Sequence, residues 1–177
     1  MTRNYFPPVN AWTIPQDVFL RSLEEMAVDG RTGDEGVALW LGRRKDGRAS
    51  ISHVVGLRGP GVHRGPASLE IEPSLFNEVA DLAIAHEVAL VGQIHSHGVG
   101  WSTDLSPIDR TGGLLVPHYL SVVAPDYALR PETGIADCGV HVFEPGRGYR
   151  RLSQEEVADK VEVVPGGTAL FLTAGQE

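Results

Sequence analysis

Short apolar runs, each bounded by turn residues, leave this chain few architectures. They fall at 36–41 (GVALWL), 49–57, 89–95 (ALVGQIH), 114–124 and 140–143. Their length and their β-branched content read as strands, and segments with helix-start signals lie between them. Thr13-Ile14-Pro15-Gln16 reads as an N-cap followed by a first-turn proline, which predicts a helix over about 14–29 that stops at Gly30. Pro73 opens a second helix with Leu75, Val79, Leu82, Ala83 and His86 on one side, ending near Glu87. Ser106-Pro107-Ile108-Asp109 repeats the grammar with a capping serine, a proline at the first helical position and a carboxylate at the third. Ser153-Gln154-Glu155-Glu156 caps a last short helix before an edge strand at 161–164. Runs 36–41 and 49–57 form a hairpin around Arg43-Arg44-Lys45-Asp46-Gly47. The stretch 58–66, with three Gly and two Pro in nine residues, is expected to be an exposed loop and a flap on the substrate side. A short strand is also expected at 69–71, and the remaining elements follow the order α, β, β, α, β, α, β, β, α, β. The fold class is therefore α/β: a single mixed β-sheet domain flanked by helices, spanning residues 1–177.

Composition narrows the partners. Fifteen Lys+Arg against 23 Asp+Glu give a net charge of −8, the wrong balance for a phosphate-tracking groove, so nucleic acid is excluded. No run of about 18 apolar residues exists to cross a membrane, and Met1 to Asn10 lacks a basic start followed by an apolar stretch, so a soluble cytoplasmic protein is expected. A single cysteine, Cys138, excludes an intramolecular disulfide and a four-thiolate zinc knuckle, and it reads as a small buried residue. Any metal must be held by histidine and carboxylate.

Of seven histidines, only His95 and His97 are placed locally for chelation. Residues two apart on an extended backbone point to the same face, so both imidazoles can reach one ion. A catalytic zinc site needs a third protein ligand and an open fourth position. Asp109, fixed on the first turn of its helix, is the favoured third ligand, and Asp104 in the preceding loop is the second candidate. Hydrolysis of an amide also needs a group that takes a proton and returns it to the leaving amine. Glu35, just before the run 36–41, can stand where the histidine strand ends, and the Ser106 hydroxyl can donate to a developing oxyanion.

His95-Ser96-His97, then Ser106-x-x-Asp109, with Glu35 seven residues before Gly42 across an apolar strand, resembles the signature of the JAMM (MPN-plus) metallo-isopeptidases. The matching stretches are about 35–43 and 89–112. The resemblance implies a JAB/MPN-like domain with cytidine-deaminase-like layering, Zn2+ on His95, His97 and Asp109, Glu35 as general acid/base and Ser106 supporting the tetrahedral intermediate. It further implies a metalloprotease cutting peptide or isopeptide bonds at the C-terminus of a ubiquitin-like protein, beside E1- and E2-type enzymes and in some cases in antiviral defence. The compact chain is more similar to prokaryotic members than to subunits of eukaryotic complexes. Two departures stand out: Gly98 follows the second histidine where the family usually has Pro, and eight residues rather than seven separate it from Ser106.

Two other functions share these residues. One is a non-catalytic MPN-type scaffold that binds partners through the same surface. The other is a JAB hydrolase that releases a small conjugate from a sulfur-carrier protein. Trp101 is either a plug into the core or, as favoured here, a wall of the substrate groove giving apolar contact to an extended peptide.

Overall fold

In a computed structural model, which describes residues 6–176, the chain forms an α/β domain around one mixed sheet. The first five residues of the 1–10 segment, and Glu177, lie outside the described residues. The strands are β1 (Ala11–Pro15), β2 (Val37–Lys45), β3 (Arg48–Leu57), β4 (Val62–Gly65), β5 (Ser68–Ile71), β6 (Ala89–Ser96), β7 (Leu120–Ala124), β8 (Gly139–Glu144), β9 (Gly148–Arg151), β10 (Val161–Val164) and β11 (Leu170–Ala174). The helices are α1 (Gln16–Gly30), α2 (Pro73–Ala85), α3 (Pro107–Gly112) and α4 (Gln154–Lys160). The main sheet runs β10-β1-β3-β2-β6-β7-β8-β9, and β4 and β5 form a separate hairpin. One edge of β3 is shared, its first residues by β1 and its last five by β11.

The run GVALWL is apolar throughout because both faces of its strand are buried. Ala38 and Trp40 join Trp12, Phe19, Met26 and Ile94 in a core beneath α1. Val37, Leu39 and Leu41 point the other way, into a core with Val62, Leu75, Val79 and Ala83 from the hairpin and α2. Ile94 of β6 faces the α1 side, so its neighbour His95 lies on the side of α2 and the hairpin, while Val91 also reaches the α1 core because the pairing with β2 shifts register beside it.

Several expectations are corrected. Thr13 caps nothing: it lies in β1, Pro15 occupies the cap position without a side-chain cap, and the helix starts at Gln16. Trp12 and Ile14 are buried, and parallel pairing with both β10 and β3 makes this segment a strand. The expected loop 58–66 instead contains β4, which turns at Pro66 into β5. The strand expected from Leu114 begins only at Leu120, because Pro117 and then His118, at φ 61°, break the extended chain. Strands β9 and β11 lay outside the expected order. Arg150 and Arg151 give β9 a polar edge, and β11 is a short run stabilised by its parallel pairing to β3.

Candidate metal centre

Sheet register assembles the site. Strands β2 and β6 are antiparallel with Val37 opposite His95, so two further residues set Glu35 opposite His97. The junction is held where the strands run out. Ser96 N–H donates to Gly36 O at 3.0 Å, and the buried Ser96 hydroxyl accepts from Gly36 N–H at 3.0 Å. His97 N–H continues the parallel pairing of β6 with β7 by donating to Ala124 O at 3.0 Å. Asp109 arrives from α3, whose capping box is complete: Asp109 N–H donates to Ser106 Oγ at 3.1 Å, and Asp109 Oδ2 accepts from Ser106 N–H at 2.8 Å.

Three ligand atoms converge. His95 Nε2 and His97 Nε2 are 3.2 Å apart, and Asp109 Oδ2 lies 3.6 and 3.4 Å from them. A triangle with these edges has a point about 2.0 Å from every corner, the reach of imidazole nitrogen or carboxylate oxygen to a small dication. His97 Nδ1 donates to Ser102 O at 2.7 Å, which leaves the Nε2 lone pair aimed into the triangle. Buried His95 Nδ1 has no hydrogen-bond partner among the described residues, so packing at 1% exposure orients that ring. This group can hold a metal ion.

Electrostatics agree with that chemistry. Burial pushes up the Asp109 carboxyl, but hydrogen bonds and charge from His95 and His97, with the Ser106 side chain, hold it well below the ordinary carboxylate range. Burial works against the His97 cation, yet Asp109 and the Ser102 carbonyl raise it above its usual value. Glu35 is 4% exposed, and burial raises its carboxyl to about 7, with His97 opposing and Asp109 adding to the shift. Such a group exchanges protons readily near neutrality, and a dication beside it would draw it downward.

Glu35, His97, Ser106, Asp109 and Trp101 line one cleft of about 50 Å³, whose opposite wall is Ala67 to Leu69 of the hairpin. Trp101 is 54% exposed and therefore a wall rather than a core plug. A second cleft of about 260 Å³ adjoins it, bounded by Gln93, His95, Phe76 and Ile108. Ser106 Oγ accepts from Asp109 N–H at 3.1 Å, and the Ser106 side chain also hydrogen-bonds the Asp109 carboxylate on the cleft wall. Asp104 is not in the cluster: its carboxylate pairs with Arg151 of β9, and Thr103 accepts from the same guanidinium. Cys138 is buried, its thiol pushed up to about 12 by burial. The larger 98–105 loop is ordered by a turn in which Trp101 N–H donates to Gly98 O at 3.1 Å and Gly100 takes φ 74°. Sequence reasoning missed Ser96 and the Ser102 carbonyl, and the flap expected at 58–66 lies just before the hairpin residues, Ala67 to Leu69, that line the cleft. The one available signal for Ser96 was its place between the two histidines.

No family model matches the chain, and no curated protein does. Among solved structures, the chain is similar to the solution structure of protein DSY2949 from Desulfitobacterium hafniense, at TM-score 0.60 and 16% identity, covering 89% of this chain and 94% of that one. That likeness extends to the fold: a mixed sheet with flanking helices that carries, in this chain, a His-His-Asp group able to hold a metal.

Proposed function

We propose that the protein is a zinc-dependent hydrolase of the JAMM type, acting in the cytoplasm on the peptide or isopeptide bond at the C-terminus of a ubiquitin-like protein. The observation that carries this reading is the convergence of His95, His97 and Asp109 on one point, with Glu35 and Ser106 on the wall of the same cleft. Two imidazoles and one carboxylate, three protein ligands in all, are a donor set that suits catalytic zinc. Zinc bound there would supply Lewis acidity and a water of near-neutral pKa. Glu35 takes a proton from the attacking water and passes it to the leaving amine, a role suited to a carboxyl that burial holds above the ordinary carboxylate range. The Ser106 hydroxyl, on the cleft wall beside Asp109, would turn from that carboxylate to donate where negative charge builds on the carbonyl oxygen. Trp101 and Ile108, both more than half exposed beside the cleft, give apolar contact to the substrate chain.

The donor set and the buried acid/base together weigh against a pure scaffold, since a binding surface has no use for a buried glutamate beside a complete ligand triad. Turnover of a ubiquitin-like protein carrying either a protein or an amino acid on its C-terminus tests the reading. Cleavage of the protein conjugate by the zinc-loaded chain supports it, cleavage of the small conjugate alone moves the assignment to a sulfur-carrier hydrolase, and cleavage of neither removes it.

A further inference from the structure

Asp126, Tyr127 and Ala128 follow β7 in succession with φ of 54°, 55° and 56°. Non-glycine residues enter the left-handed region mostly one at a time, and a run of three persists only where its surroundings over-determine it. Here they do. Tyr127 N–H donates to His97 O at 2.7 Å, Asp126 accepts from Gly100 N–H at 3.2 Å and pairs with Arg130, and Ala128 is buried. The turn carries the Tyr127 side chain to the tip of the β4–β5 hairpin, where its hydroxyl donates to Pro66 O at 2.8 Å.

Two glycines make room. A Cβ on Gly30 would stand 2.3 Å from Tyr127 O, and one on Gly98 would stand 3.0 Å from the Tyr127 hydroxyl oxygen. Gly98, immediately after the second histidine, is thus small because the phenol occupies that space. The neighbouring carbonyl of the tip, Gly65 O, accepts from Glu35 N–H at 2.9 Å. Two adjacent carbonyls therefore fasten the tip, one to the strand end that bears Glu35 and one to Tyr127. The residues that follow, Ala67 to Leu69, close the 50 Å³ cleft over His97 and Asp109. That volume holds on the order of a few waters and no polypeptide segment.

We infer that Tyr127 is a positioning residue that latches the β4–β5 hairpin over the metal centre, and that release of its bond to Pro66 opens the cleft to an extended peptide. The peptide substrate rests on the function proposed above, whereas the latch stands on its own contacts. Hydrogen exchange by mass spectrometry on the full chain tests it with Tyr127→Phe, which removes only the hydroxyl, and with Gly98→Ala, which displaces that hydroxyl while keeping it. Both variants are expected to speed exchange of amides in 62–71 about tenfold while β6, β7 and α1 keep their rates and zinc stoichiometry is unchanged. Unchanged hairpin exchange in Tyr127→Phe would overturn the latch, as would acceleration spread equally over α1 and β7, the mark of a merely structural tyrosine. Zinc binding by none of the three proteins, with the hairpin response present, would sink the proposed function and leave the latch standing.

Discussion

Glu35→Gln changes one atom of the cleft wall and removes its capacity to take a proton. With the ligands untouched, zinc content should stay at the wild-type level while turnover falls about 10²- to 10⁴-fold, as measured by metal analysis beside steady-state kinetics. Wild-type turnover in that variant would take Glu35 out of the mechanism. His97 is sensitive to pH in the other direction. Asp109 and Ser102 hold its cation above the usual value, and a proton competes with the ion for Nε2. Zinc affinity should therefore weaken as pH falls through that raised value, and titration calorimetry at two pH values reads it. At this scale the sequence was informative where spacing alone dictates geometry: His95 in β6 and His97 just past its end turn to one side, and the Ser-Pro start aims Asp109. Tyr127 was invisible, because nothing in Pro-Asp-Tyr-Ala announces three left-handed residues in a row.

Strand β2 shows how an element serves the site through its irregularities. Its pairing with β3 shifts register between Leu41 and Gly42, and a Cβ on Gly42 would lie 2.1 Å from Ser50 O. Gly42 is therefore needed for strand packing, which gives a structural account of the glycine seven residues after Glu35. Gly42→Ala should cost roughly 1–3 kcal/mol in urea unfolding, with no loss in the number of metal ligands. A neutral result would mean that the bulge relaxes freely. Deeper in the same strand, Trp40 Nε1 donates to the buried Ser22 hydroxyl at 2.9 Å, which donates to Val18 O at 2.7 Å. Ser22→Ala leaves the indole N–H without an acceptor and should destabilise by about 1–3 kcal/mol in the same measurement. Elements with strong internal patterns, such as the doubly buried β2 and the Pro-started α2, were readable from the chain. Strands β1, β4, β9 and β11 were not, since each is four or five residues long and owes its conformation to partners distant in sequence.

One group that should couple the stability of the whole molecule to acid is His141, which is fully buried in β8 with Nδ1 against Ser121 O. Burial pulls its imidazole down to about 4, against a smaller opposing effect of the Ser121 carbonyl. The folded chain thus keeps it neutral where the unfolded chain would bind a proton. Stability from this residue is fully present above pH about 6.5 and is lost as pH falls towards 4, at most about 3 kcal/mol in total. His141→Gln should flatten the acid limb of a stability–pH curve, and an unchanged limb would place the acid sensitivity elsewhere. The mixed α/β class followed from alternating strand and helix signals, but the sheet order, in which β1 and β11 divide one edge of β3, depends on long-range pairing that no local pattern encodes. That order sets the end of β6 between the starts and ends of its neighbours and so creates a place for an ion. The most direct measurement is zinc content of the full chain purified without chelator, beside His97→Ala and Asp109→Ala. One zinc per wild-type chain, lost in both variants, is the predicted result. A wild-type chain that takes up no zinc after supplementation, or variants that retain it in full, would contradict the account.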